Sequence, residues 1–296
     1  MNSVKFRFFN GYELLMAAVI IARSTSFVIS KISIRSFEPL NLLAVRFTLA
    51  FLVLVLIFFK KFKNLSLRIV VNGFILGATY TAVMFFEMAG LATTETAVAS
   101  FIENSAFILV PFLEIAFLHI FPSPKVLVGI VLTFIGVALL TLAGGASVSK
   151  GSLYCLVAMA FYALAIFETS LFARMGEPLL VGIIQVATMA FLSIVASVLF
   201  ESTRLPSNQS EWIMIALLAL VCTVFGFTLQ PVAQKEMDVD RAGMFSALNP
   251  LAATFWGYII LDEKITWIKS VGAVLIILGI VFPSLKRSRR NSGLGI

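Results

Sequence analysis

The chain contains itself twice. Arg35-x-x-Glu38-Pro39-Leu40 returns 139 residues later as Arg174-x-x-Glu177-Pro178-Leu179. Gly129-x-Val131-Leu132-x-x-x-Gly136 returns after 143 residues as Gly272-x-Val274-Leu275-x-x-x-Gly279. An internal repeat of this length means two equivalent halves with a small insertion between the anchors, and any fold must accommodate that equivalence. We place the halves at 1–148 and 149–296.

The solvent of these halves follows from their composition. With 60% hydrophobic and 12% charged residues and a mean hydropathy of +1.04, the chain lies far from the roughly 45–50% apolar, 25% charged make-up of soluble domains. Ten apolar segments of about the roughly 20 residues that cross a hydrocarbon core are predicted near 12–33, 40–59, 69–92, 97–118, 125–143, 152–173, 179–200, 212–234, 241–261 and 267–284. Short Pro-, Gly- or polar-rich joints such as Phe37–Pro39, Phe121–Pro124 and Gly176–Pro178 separate them. The first follows Lys5 and Arg7 as a signal peptide would, but no cleavage pattern or polar mature domain succeeds it, so we read it as retained.

Five crossings per half is an odd number, so the second copy enters the membrane in the opposite sense to the first. The expected fold is an all-α membrane protein of ten transmembrane helices arranged as two inverted five-helix repeats. With the N-terminus inside, 14 Lys and Arg fall on inner segments and 6 on outer ones, which favours both termini in the cytoplasm. The net charge of +7 is spread over these short clusters, which read as topology signals and form no nucleic-acid face; the basic tail from Lys286 to Arg290 is a stop signal that also suits weak contact with anionic lipid. Cys155 and Cys222, each alone in an apolar run, indicate neither a disulfide nor a metal site. No cofactor is expected. Phosphate-loop, zinc-protease and serine-hydrolase motifs are missing, and the single histidine, His119, sits at a segment end, so enzyme chemistry is disfavoured.

Charges within spans cost about 2.5–3.5 kcal/mol each at a helix centre and must face protein or a wet cavity. Arg23, Arg46, Glu87, Glu103, Glu114 and Glu168 are therefore the informative residues, with Arg23 and Glu103 the deepest. In the predicted topology Lys31, Arg46, Glu87 and Glu103 share the outer half, and Glu114, Glu168 and Gln185 the inner. Helical spacing groups Arg23, Ser26, Phe27 and Ser30 on one face, Gly73, Tyr80 and Glu87 on another, and Ser100, Glu103, Phe107 and Glu114 on a third. Tyr154, Phe161 and Glu168 form a stripe on the sixth segment, and Ser246, Asn249 and Trp256 one on the ninth. Such mixed polar and aromatic stripes suit the lining of a site for a small amphipathic solute.

With these features in place the chain resembles the EamA family of the drug/metabolite transporter superfamily over residues 12 to 284. The resemblance rests on Ser26-Phe27-Val28-x-x-Lys31, Glu38-Pro39, Arg46-Phe47 and Ala89-Gly-Leu-Ala-Thr-Thr94 in the first half. In the second it rests on Thr223, Gln230, Ala233-Gln234-Lys235, Asn249-Pro250, Leu261-Asp262-Glu263 and the Gly272 to Gly279 motif. It implies a multi-pass carrier of a bacterial inner membrane, exporting amino acids or related metabolites down a gradient or by exchange with protons. The cavity would be lined by segments one, three, four, six, eight and nine. The chain departs from the family in three places: Arg23-Ser24 replaces an aromatic-Gly pair, Glu103 replaces an apolar residue, and Ile120 stands where an acidic residue is usual.

On this reading the substrate pathway comprises Arg23, Ser26, Phe27, Arg46, Tyr80, Glu87, Glu103, Phe107, Phe161, Glu168, Gln230, Asn249 and Trp256. Arg23 would meet an anionic group and Glu103 a cationic one, which points to a zwitterion, with Glu103 as the group for any proton coupling. A homo-oligomer is compatible with the sequence but not indicated by it. The same charges also suit a passive facilitator or a membrane scaffold in which buried ion pairs only lock helices together.

Overall fold

The computed structural model describes residues 10–94, 96–142, 150–261 and 266–282. The charges at Lys5, Arg7, Lys264 and Lys286 to Arg290, and the Asp262-Glu263 pair, lie outside the described residues. The rest is helical: α1 (Gly11–Ser33), α2 (Pro39–Phe58), α3 (Leu67–Thr93), α4 (Thr96–Asn104), α5 (Val110–Leu113), α6 (Pro124–Leu142), α7 (Gly151–Arg174), α8 (Pro178–Phe200), α9 (Gln209–Leu217), α10 (Thr228–Gln234), α11 (Val239–Phe245), α12 (Leu248–Leu261) and α13 (Trp267–Val281). These make ten crossings. The fourth strings α4, a 3-10 stretch, α5 and a π-helical stretch at Glu114–Leu118 into one rod around Pro111, and the eighth joins α9 to α10 through a π-helical stretch at Leu218–Phe227. The ninth is α11 followed by α12. Seven of the rods are long and apolar enough to cross a membrane by length and composition, with shorter apolar helices at Pro124–Leu139 and Trp267–Val281.

Local chemistry sets the helix starts. Asn10 and Glu13 form a reciprocal capping box at α1, Ser66 and Asn208 cap α3 and α9, and Pro39 and Pro178 open α2 and α8. No side chain of the preceding residue caps α2; the other half does so instead. The Glu201 carboxylate accepts from the amides of Leu40 (3.0 Å) and Asn41 (2.7 Å), which puts a negative charge on the positive end of the helix.

That cap also reveals the relation between the halves. The start of α2 meets the end of α8, where Glu38 in turn accepts from the Ser202 amide at 2.7 Å. At the far end Asn64 and Lys61, past α2, meet Glu177 at the start of α8. The two copies of Arg-x-x-Glu-Pro thus sit at opposite ends of one antiparallel helix pair. The glycine motifs repeat the lesson: a Cβ on Gly136 would lie 2.7 Å from the Gly272 carbonyl oxygen, and one on Gly279 would lie 2.7 Å from that of Gly129. Each motif is the other's contact surface, in antiparallel register, as in an interface built on a two-fold axis.

Other pairings obey the same exchange. α3 packs on α7 as α1 packs on the rod of α9 and α10; α4 packs on α7 as α1 packs on α12; α3 packs on α8 as α2 packs on the eighth crossing. The protein is a pair of inverted five-helix repeats.

Candidate functional site

The buried charges predicted from the sequence converge from four helices, and the two arginines meet the irregular eighth crossing. Arg23 leaves α1 across the π-helical stretch of the eighth crossing, where Gly226 makes room: a Cβ there would stand 2.5 Å from Arg23 Cγ. Its guanidinium lies 4.0 Å from the Phe227 ring centroid and 5.5 and 5.6 Å from those of Tyr80 and Tyr162, an aromatic cage around a cation. It donates to the Gln230 side-chain oxygen, and the Gln230 amide donates to the Tyr80 hydroxyl at 2.8 Å.

Arg46 enters from α2. Its Nε donates to Thr223 Oγ1 at 2.9 Å and its Nη1 to Ser26 Oγ at 3.0 Å, while Nη2 has no partner. The Thr223 hydroxyl accepts while it spends its own proton on the Leu218 carbonyl five residues back (3.0 Å), a carbonyl offered by the π-helical winding.

Facing these cations are two carboxyls, Glu87 from α3 and Glu103 from α4. Arg46 and Arg23 are both within electrostatic reach of Glu87, and Arg23 of Glu103, yet no direct ion pair joins them among the described residues. Glu87 Oε1 is unpartnered. Asn249 completes the ring. Its Nδ2 donates to Asn104 Oδ1 at 2.9 Å, tying α12 to α4, and its own Oδ1 is left free. Arg46, Glu87 and Glu103 are exposed to only 1%, 3% and 3%.

Together Arg23, Ser26, Phe27, Arg46, Glu87, Glu103 and Asn249, with Met84 and Phe227, wall a narrow cavity. The side chains divide it so finely that it seats about one water. It lies in the half of the molecule nearer the Glu38–Ser202 contact. In a dry enclosure, donors and acceptors that lack partners are costly, about 1–3 kcal/mol each. Among the described residues the wall presents Arg46 Nη2 as a free cationic donor and Glu87 Oε1 and Asn249 Oδ1 as free acceptors to whatever enters.

Six further predicted residues stand outside that wall. Tyr80 and Gln230 form the floor beneath Arg23, and Phe107 is buried against Gly243 of α11. Trp256 packs edge-on against Phe255, two turns along α12 from Asn249. Phe161 stacks on Phe86 at 5.9 Å, and Glu168 lies beside Thr79 of α3. The sixth segment's stripe is misplaced because a seven-residue spacing fixes a face without saying which face is inward: Tyr154 is exposed, and the buried side carries Ala158, Tyr162, Ala165 and Thr169. Met84 and Phe227 were missed although both were findable. Met84 falls on the Tyr80–Glu87 stripe, and Phe227 between Thr223 and Gln230 at helical spacing.

Lys31, expected in the outer half with these charges, lies at the end of α3 that carries Glu87, where it donates to the Leu91 and Thr94 carbonyls and does not line the cavity.

The model of the EamA-like transporter family matches this chain twice, over residues 10–142 and 149–285. An uncharacterized transporter of Archaeoglobus fulgidus is 25% identical over 93% of the chain and 86% of its own length. The uncharacterized transporters YetK and YyaM of Bacillus subtilis are 24% and 27% identical, covering 95% and 93% of the chain and 89% and 93% of their own. A crystal structure shares the fold with a TM-score of 0.76, at 19% identity, over 93% of this chain and 96% of that one.

Proposed function

Because the chain belongs to the EamA-like transporter family, we propose that it carries a small zwitterionic metabolite, an amino acid or a close relative, by alternating access through the charged cavity. One observation carries this reading: Arg46 Nη2, Glu87 Oε1 and Asn249 Oδ1 line one enclosure, all buried and all without a partner. An α-carboxylate would accept from the first and an α-ammonium would donate to the other two, so both ends of one small molecule are matched. Arg23, which the sequence offers as the anion ligand, has its guanidinium taken up by Gln230 and the aromatic cage. The anion is therefore assigned to Arg46, and Arg23 holds the cavity floor.

In this scheme the two repeats rock about the α2–α8 and α6–α13 pairs and expose the cavity to each side in turn. We place both termini in the cytoplasm on the distribution of Lys and Arg, and take export or exchange as the working direction, with Glu87 and Glu103 as the groups that would pass a proton. The scaffold reading requires buried ion pairs, and the cavity charges make no direct ones.

A thermal-shift screen of the purified protein against the common amino acids and their decarboxylated and deaminated analogues tests the assignment. A zwitterion should raise the melting temperature in proportion to the logarithm of its concentration above Kd, and neither half-analogue should do so at equal concentration. In Arg46→Gln the shift should vanish for the zwitterion. An unchanged shift in that variant would overturn the role of Arg46, and stabilisation by no zwitterion at all would overturn the substrate class.

A further inference from the structure

We propose that the protein has a second, uncharged half-site for the same solute, centred on Gln185 and reached from the face opposite to the one nearer Arg46. The inference rests on the reading of the charged cavity as the solute site and follows from the repeat. The 139-residue offset that carries Arg35 and Glu38 onto Arg174 and Glu177 also carries Arg46 onto Gln185, Ser26 onto Ala165 and Arg23 onto Tyr162. Gln185 lies seven residues past Pro178 on α8, as Arg46 lies seven past Pro39 on α2. Since α2 and α8 are antiparallel, the two residues are equally deep from opposite faces.

The surroundings of the two differ in a telling way. Arg46 has two of its three nitrogens held, by Ser26 of α1 and Thr223 of the eighth crossing. Under the exchange of repeats these become Ala165, which has no polar side-chain atom, and the stretch of α3 that passes α8. There Gly77 brings the backbones together, a Cβ on it lying 2.7 Å from the Gln185 carbonyl, and the Tyr80 hydroxyl already accepts from Gln230. The Gln185 amide consequently has neither of its ends paired: Nε2 and Oε1 are both without partners in a residue 1% exposed. The Tyr162 hydroxyl, the counterpart of the Arg23 guanidinium, is likewise unpartnered at 1% exposure, with its ring against Tyr80.

An orphaned amide on α8 and an orphaned phenol on the neighbouring α7 are costly to keep dry. They become useful if a polar solute visits. The amide offers an acceptor to an ammonium group and donors to a carboxylate, and the phenol offers one of each. With no formal charge in Gln185 or Tyr162, the solute would be held more loosely there than beside Arg46, which suits a station from which it leaves.

Accessibility tests this without knowledge of the solute. In a background with Cys155 and Cys222 replaced by alanine, single cysteines are placed at Ser26→Cys, Ala165→Cys and Gln185→Cys, each verified by a single symmetric gel-filtration peak. An impermeant methanethiosulfonate reagent is then applied to right-side-out and inside-out vesicles. S26C should react only from the face bearing Glu38 and Glu201, and A165C and Q185C only from the face bearing Lys61 and Glu177. Reaction of S26C with A165C and Q185C inert from both faces would overturn the second half-site and leave the charged cavity standing. If all three stay inert, both fall. Reaction of all three from one face would also sink the proposal, because the half-sites would then share one entrance.

Discussion

At the scale of single residues, the cavity depends on hydroxyls that free a guanidinium to act. Thr223 accepts from Arg46 while its own proton, committed to the Leu218 carbonyl, points its lone pairs at the guanidinium, and Ser26 fixes the second arm. Thr223→Val is isosteric but removes the acceptor, leaving a buried charged donor unpaired at about 1–3 kcal/mol or more. We expect a lower melting temperature in detergent and no stabilisation by any zwitterion, with Thr223→Ser restoring both. Arg46→Lys should fail like Thr223→Val, because one ammonium nitrogen cannot replace a planar fork whose three nitrogens separately reach Thr223, Ser26 and the cavity. The charged residues themselves were legible in the sequence, since a charge deep in an apolar segment must have protein around it. Their division of labour was not. Nothing in the spacing says that Arg23 meets Gln230, 207 residues away, and three aromatic rings, while Arg46 keeps an open hydrogen.

At the scale of elements, glycine decides which helices touch. On α6 and α13 the reciprocal motif leaves no space for side chains: a Cβ on Gly279 would stand 2.1 Å from Thr133 Oγ1 and one on Gly136 2.8 Å from the Ile276 amide nitrogen. Gly279→Leu and Gly136→Leu must part the pair, and overpacking of this kind costs about 1–3 kcal/mol, occasionally more. Both should lower the melting temperature by similar amounts, since the two sites are equivalent by the exchange of repeats. Val274→Leu, on the exposed side of α13, should be silent. The irregular crossings were readable only in part. Pro111 announced a break in the fourth, but the π-helical winding at Leu218–Phe227, which turns the Leu218 carbonyl to Thr223, has no proline or glycine signature at its start.

At the scale of the whole molecule, the two faces are held differently. Near Lys61 and Glu177, the Glu13 carboxylate of α1 pairs with Arg241 of α11 at 2.6 Å, joining one repeat to the other across the mouth that the Gln185 half-site would use. Glu13 also accepts from the Asn10 amide in the capping box, a role glutamine can fill. Glu13→Gln therefore removes the ion pair and spares the helix start. It should shift the population toward the state open on that face, read as faster modification of Q185C there and slower modification of S26C from the other side. On the opposite face Arg204 grips Glu211 through two bonds of 2.9 Å, donates to the Ser36 carbonyl and lies over the Phe37 ring, a latch between the loops of the two halves.

The sequence by itself determined the medium, the number of crossings and their inversion. Apolar length is a local property, and an odd count of crossings in a duplicated chain leaves no other threading. Which faces of those helices turn inward, which charges meet, and what each side chain has left to offer were decided only in the folded molecule. Those depend on contacts between residues far apart in the chain, where one alanine in place of a serine, or one glycine beside an arginine, sets whether a polar group is paired or waiting.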